Sequence, residues 1–263
     1  MEYQLITFGT YRLKDNTLSE ALTAAFESGY RAIDTALLYN NQQIIGNFLG
    51  QNQLNRNEIW ITSKLPPKII PMAENDIVNS VLKTFDDLGT KYLDLYLLHC
   101  PVKDHNTKAW TVIEGLHRQG YLRNIGVSNY DINDIKEISN FSTTSIFTNQ
   151  LELSPFLTRS RVTNFLKSVG IPITAHSSLA KGEKFNDPIL QNISDKYSRT
   201  SAQILLKWAL QNQFHIIPRS SKQSHIQEDI NLDFIISNDD IAELNGLNIG
   251  YTTHPQYKFI ESV

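Results

Sequence analysis

Asp34, Tyr39, Lys64 and His99 are the residues of this chain whose types and spacing suggest chemistry. They supply a carboxylate, a phenol, an amine and an imidazole. A phenol with a free pKa of about 10 is a poor proton donor or acceptor at neutral pH. An ammonium group beside it favours phenolate, and a carboxylate holds that ammonium charged and in place. A well-placed general acid is worth roughly 10²–10⁴-fold in rate. The reaction it best serves is protonation of a carbonyl oxygen while hydride arrives at the carbon, and hydride calls for a nicotinamide or flavin. Taken singly, each residue has a plainer reading: a loop tyrosine packs, a histidine beside an apolar strand is a hydrogen-bonded core residue, and a rim Asp–Lys pair is structural. Four of them at successive strand ends argue together.

The elements that must position them alternate along the chain. Tyr30–Ile33 reads as a strand with Asp34 at its end, an unlikely place for an unpartnered carboxylate. Strands are expected at 30–34, 59–64, 92–98, 122–127, 145–149, 171–175, 214–218 and 231–235. Helical periodicity covers 18–28, 74–88, 106–119, 131–139, 159–169, 200–211 and 222–229, and a further helix begins near Asn40-Asn41. Ser237 to Asp240 reads as a capping-box helix start. Eight strands separated by helices predict a single (β/α)8 barrel over 1–263. A hairpin over 3–13, turning at Gly9-Thr10, caps it, and the aperiodic residues 250–263 wrap one rim. In such barrels function sits where the strands end.

Composition narrows the classes. At 263 residues one barrel domain accounts for the whole chain. The net charge of −3 and the lack of any basic block exclude a nucleic-acid or acidic-membrane partner. The single cysteine, Cys100, rules out an intramolecular disulfide and points to a reducing compartment. The N-terminus has no basic and apolar signal regions, and no apolar run reaches the roughly 18–20 residues of a membrane span. These features predict a soluble, cytoplasmic protein, with a monomer as the default and no metal site. Neither GxGxxG nor GxxxxGK[ST] occurs, so the chain is not a Rossmann or P-loop protein. The absence of a Tyr-x-x-x-Lys spacing removes the short-chain dehydrogenase reading.

Beyond these arguments, the chain resembles the aldo-keto reductases. GYRAIDTALLYNNQQIIG (29–46) matches that family's first signature. ITSKL and DLYLLHCP match its lysine and histidine segments, RNIGVSNY the second signature, TNQLEL a strand motif, and IPRSS the phosphate-binding region. The likeness runs through nearly the whole chain in family order, and is nearest to small bacterial members. It implies a (β/α)8 barrel with an N-terminal hairpin, and NADPH-dependent reduction of a small-molecule carbonyl, with NADH possible. It makes Tyr39 the proton donor, tuned by Lys64 and Asp34, with His99 orienting the substrate. Ser128, Asn129 and Gln150 would hold the nicotinamide carboxamide. Gly9, Thr10, Asp34, His176, Ser177, Leu179, Arg219, Ser220, Lys222, His225, Glu228 and Asp229 complete the implied cofactor set. Arg219 suits a 2′-phosphate, and the helix start behind it adds a favourable dipole.

Several positions depart from the family pattern. His176 stands for a stacking tyrosine and offers less surface. His225 replaces an arginine, removing a permanent charge, and Asp229 replaces an asparagine; both weaken a strict preference for NADPH. Tyr11, Cys100 and Pro66 stand where aromatic residues line many substrate pockets, which implies a wider one, and Cys100 reads more simply as an inert small core residue. Asn129 also admits the reading of a turn or N-cap residue. Two other functions stay open on sequence: a cofactor-binding redox sensor or scaffold on the same fold, and a barrel aldolase or isomerase using Lys64 as a Schiff-base amine.

Overall fold

The computed structural model describes residues 4–257. Eight strands follow one another around a single sheet: β1 (Phe8–Gly9), β2 (Ala32–Asp34), β3 (Trp60–Leu65), β4 (Leu95–Leu98), β5 (Ile125–Ser128), β6 (Asn149–Glu152), β7 (Ile173–His176) and β8 (Phe214–Ile216). Each pairs in parallel with the next, in chain order. The sheet closes on itself, because Ile6 bridges Ile216 in parallel, Ile216 N donates to Leu5 O at 2.8 Å, and Thr7 N donates to Ile216 O at 2.9 Å. The result is the expected (β/α)8 barrel.

Ten helices lie between and around the strands: α1 (Asp15–Glu27), α2 (Gln42–Gln51), α3 (Glu74–Leu88), α4 (Asn106–Arg118), α5 (Ile132–Phe141), α6 (Ser160–Ser168), α7 (Pro188–Tyr197), α8 (Ser201–Gln211), α9 (Gln223–Ile230) and α10 (Asn238–Asn245). The amphipathic helix expected at 74–88 is α3 over the same residues. Helix α7, which was not among the expected helices, buries Leu190 and Ile193 on one face. It is set by Pro188 in its first turn and by Asp187, whose carboxylate accepts from Ile189 N and Leu190 N.

The strand expected at 145–149 starts only at Asn149 and runs to Glu152, and the expected hairpin and the strand at 231–235 are corrected. Among the described residues of 3–13 there is no hairpin: Phe8–Gly9 is the first barrel strand, in register with Ile33 and Asp34. Gly9 N reaches Pro218 O on the other side, so this short segment has parallel partners on both edges, which an antiparallel turn would forfeit. Segment 231–235 is not a strand. Its carbonyls are taken by α8 side chains, with Gln203 Nε2 on Asn231 O and Lys207 Nζ on Leu232 O. The capping box at α10 is half formed: Ser237 Oγ accepts from Asp240 N, but Ser237 N donates to Tyr197 Oη. The Asp240 carboxylate is held by Lys196 and Tyr197 instead.

Strand alternation divides the core. Outward-facing strand residues pack with the helices in one continuous apolar cluster. A smaller cluster of Ala32, Trp60, Leu95 and Leu97, with Phe147 stacked on Trp60, fills the inside of the barrel. Two residues beyond Ala32 on the same face comes Asp34. Four beyond Trp60 comes Lys64, and two beyond Leu97 comes His99. The apolar floor and the polar set are thus the two ends of one inward face.

Helix α2, which follows the site loop, sits tightly on the end of α3. A Cβ on Gly46 would meet Asp87 O at 2.4 Å and the Leu88 backbone at 2.8 Å. Backbone cannot yield as a side chain can. Gly46→Ala is expected to destabilise the fold by about 1–3 kcal/mol despite the better helix propensity of alanine. Chemical denaturation checks this, and a variant as stable as the parent would show that the two helices can separate without cost.

Candidate active site

The four chemistry-bearing residues meet at the C-terminal rim of the barrel, around a cavity of about 590 Å³ that Asp34, Tyr39 and His99 line together. Lys64 is wholly buried beneath it. Its ammonium lies 2.5 Å from Asp34 Oδ1 and donates to Thr35 O at 3.0 Å. The second carboxylate oxygen of Asp34 accepts from Gln150 Nε2 at 2.9 Å. Strands β2 and β6 are not neighbours, so this last bond spans the barrel interior. Burial pushes the Lys64 pKa below its ordinary value, and the Asp34 charge opposes that shift.

Tyr39 ends a single 3₁₀ turn, Leu37–Tyr39, directly after β2. The Lys64 ammonium is 5.3 Å from its ring centroid, and the His99 ring approaches edge-on at 5.9 Å. Two of the three ammonium hydrogens are committed to Asp34 and Thr35, which leaves the third for the phenol side. On the outer side Tyr11 packs on Tyr39 at 5.0 Å. Burial, with the Lys64 charge next in size, pulls the His99 pKa down to about 3, so the imidazole is neutral across the physiological range. His99 Nδ1 is sealed and has no partner among the described residues. The imidazole proton therefore belongs on Nε2, towards the cavity, because a buried N–H without an acceptor is costly.

The amide residues form a connected set. Ser128 Oγ donates to Gln150 O, and Asn129 Nδ2 donates both to Ser128 Oγ and to His99 O. Asn129 adopts a left-handed backbone, φ 62°, and its oxygen faces His176 Nε2 at 3.1 Å. The turn reading of Asn129 is realised in this left-handed backbone. Gln150 Oε1 makes no hydrogen bond within the described protein and stays available to an amide donor.

Of the remaining predicted site residues, Gly9, Thr10, Tyr11, His176, Ser177, Leu179, Arg219, Ser220, Lys222 and His225 all line the cavity. Pro66, Cys100, Glu228 and Asp229 do not. Asp229 is buried, and its pKa is raised to about 7 by burial and the Glu228 charge. The Cys100 thiol is pushed up to about 11 by burial, which fits an inert residue. Sequence reasoning passed over Arg12, Ser178, Lys181 and His254, which also line the cavity. Arg12 follows three residues that were singled out, so its position was within reach; His254 lies in an aperiodic tail and carried no signal. The tail does cross the rim over its described part, and 258–263 lie outside the described residues.

The charge balance of this cavity is one-sided. Its single carboxylate, Asp34, is neutralised by Lys64, whereas Arg12, Lys181, Arg219 and Lys222 are in no ion pair among the described residues. Burial, with the Arg12 charge next in size, lowers the Arg219 pKa. The described residues hold no cluster of His, Cys, Asp or Glu able to bind a metal, and no helix long and apolar enough to cross a membrane.

Comparison with known proteins identifies the family. The profile of the Aldo/keto reductase family covers residues 5–186. The chain belongs to the aldo/keto reductase family. A glyoxal reductase of Bacillus subtilis (strain 168) is 32% identical over 242 residues, which are 91% of this chain and 87% of that protein. A methylglyoxal reductase DkgB of Yersinia pestis is 32% identical over 234 residues, 88% of this chain and 87% of that one. Among solved structures, the aldo-keto reductase MGS-M4 from a deep-sea metagenome library superposes with a TM-score of 0.92 at 26% identity, covering 96% of this chain and 94% of its own. A Bombyx mori aldo-keto reductase, AKR2E4, solved in complex with NADP, gives 0.86 at 26% identity, covering 95% and 91%. The chain is thus an NAD(P)H-dependent oxidoreductase that reduces carbonyl compounds.

The His99 shift has a consequence for stability. Its folded pKa lies below the ordinary value of 6.5, so the unfolded chain binds more protons below that pH. Stability is full above about pH 6.5 and declines as pH falls towards 3. His99→Asn removes this component, so it should lose less stability than the parent between pH 6.5 and 4.5. Urea midpoints across that range test it; parallel profiles would mean His99 takes up a proton in the folded state.

Proposed function

We propose that the protein reduces small reactive aldehydes with NADPH in preference to NADH, with Tyr39 as the proton donor. The observation that carries the reading is the placement of the Tyr39 phenol between a buried lysine and a neutral imidazole, on the wall of a cavity rich in unpaired cations. The cavity fits a nicotinamide dinucleotide. Its volume is in the range of cofactor sites. The four rim cations suit phosphate oxygens, and the buried hydroxyl of Ser178, which has no partner among the described residues, is a further donor.

In this reading Asp34 holds Lys64 charged and fixed, and Lys64 favours the phenolate left when Tyr39 gives up its proton. His99 Nε2–H meets the carbonyl oxygen and directs it towards the phenol. Gln150 Oε1 accepts from the carboxamide, while Asn129, whose donors are both committed, keeps His99, Ser128 and His176 in register. Arg219 and Lys222 take the 2′-phosphate, with the start of α9 behind them. The bound cofactor supplies hydride to the carbonyl carbon. Leu38 and Tyr11 are exposed beside Tyr39 on the cavity lining, and small carbonyl substrates are in keeping with the names of the glyoxal and methylglyoxal reductases above.

Tyr39→Phe should lower turnover of methylglyoxal by about 10²–10⁴-fold while leaving calorimetric NADPH binding intact. A variant that turns over like the parent would remove Tyr39 from the proton-donor role. Arg219→Ala should weaken NADPH binding roughly tenfold or more and leave NADH nearly unchanged. Equal losses for the two cofactors would place Arg219 on a group they share.

A further inference from the structure

Glu152, at the end of β6, is buried, yet its carboxylate serves neither the catalytic set nor the cavity. Its Oε1 accepts from Thr253 N at 2.7 Å and Thr253 Oγ1 at 2.6 Å, and its Oε2 accepts from Thr252 Oγ1 at 2.5 Å. From the other side Lys181 Nζ donates to Thr253 O at 2.6 Å. The C-terminal segment is thereby latched to the barrel on both sides of one residue. What the latch delivers is His254, whose ring enters the cavity 6.2 Å from Tyr11 and 5.7 Å edge-on from His176.

The hydrogen bonds between these groups have a direction. Asn129 Nδ2 donates to the His99 carbonyl, which fixes the amide orientation and makes its Oδ1 an acceptor. His176 Nε2, 3.1 Å from that oxygen, must therefore carry the proton. Burial, reinforced by the surrounding positive groups, keeps His176 neutral. Its Nδ1 is then an acceptor and takes the Ser177 hydroxyl hydrogen at 3.1 Å. The lone pair of Ser177 Oγ is left to accept from His254 Nε2 at 3.3 Å. Only one arrangement of protons satisfies the whole chain from His99 O to the tail.

We propose that His254 is a positioning residue: Asn129 sets the tautomer of His176, and His254, through Ser177, holds the ring in one orientation, so that the C-terminal segment completes the surface on which the nicotinamide lies. This rests on the function proposed above. An imidazole covers less of a nicotinamide than a phenol does, so its contribution depends on being held in place. Without the His254 link Ser177 Oγ loses one of its two partners, and its bond to His176 Nδ1 is the only hold on that side of the ring.

Calorimetric titration of NADPH into the purified chain, with no carbonyl compound present, tests the inference. His254→Ala should raise the Kd about threefold to tenfold. His254→Gln, which restores an N–H donor to Ser177, should return it to within about twofold. Ser177→Ala should match His254→Ala, and the double variant should be no worse than either single one, since both break one chain. An unchanged Kd in His254→Ala, with only the KM for methylglyoxal raised, would overturn the inference and make His254 a substrate contact. Equal losses in the Gln and Ala variants, or additive losses in the double variant, would overturn it too. A parent chain that binds neither NADPH nor NADH would overturn the functional proposal and this inference together, whereas a parent that binds while His254→Ala is indifferent overturns this one alone.

Discussion

The buried ion pair of Asp34 and Lys64 is the constraint on which the site depends. Neither side chain is more than 6% exposed, so neither charge is hydrated, and removing one partner of such a pair costs about 3–5 kcal/mol. The pair is tolerable because its other valences are also met: Gln150 holds the second carboxylate oxygen and Thr35 O the ammonium. Those groups come from β2, β3, β6 and the turn after β2. All must arrive in register, since a slip of one residue in any strand sends its side chains to the outer face. Closure of the barrel is therefore a condition for neutralising this pair as well as for burying the apolar core.

The apolar floor acts on the same pair from below. Trp60, Leu95 and Leu97 lie on the inward faces of the strands that carry Lys64 and His99, and Phe147 stacks on Trp60. Water has no route to the ammonium through this layer, and a low local dielectric strengthens each hydrogen bond above it. The polar set opens to the C-terminal rim, where Tyr39, His99 and the amide residues line one cavity.

Much of this was legible in the sequence, for local reasons. Helix α3 was readable to the residue because its apolar positions recur with helical period, and the tetrad was readable because polar residues stood at the ends of apolar strands. What was illegible is what long-range pairing decides. Phe8–Gly9 is too short to carry a pattern and is a strand only because Asp34 and Pro218 offer it partners on both sides. Residues 231–235 have a strand-like composition, but α8 side chains reach their carbonyls first, and Ile235 ends up 78% exposed. Glu152 lay within a recognised motif, yet its grip on Thr252 and Thr253 joins positions about one hundred residues apart that no local pattern connects.

The electrostatic arrangement follows from the same geometry. Deep in the cavity Lys64 is paired with Asp34, and burial holds His99 and His176 as uncharged imidazoles. Among the described residues the cavity cations in no ion pair are Arg12, Lys181, Arg219 and Lys222. A highly charged ligand therefore finds its counter-charges at the edge of the cavity. The interior offers neutral donors, which can polarise a carbonyl without clamping an anion there. Had His99 been cationic, it would stand near Lys64 as a second positive charge with one carboxylate between them. Its neutrality is what lets a lysine, a tyrosine and a histidine share one small buried space.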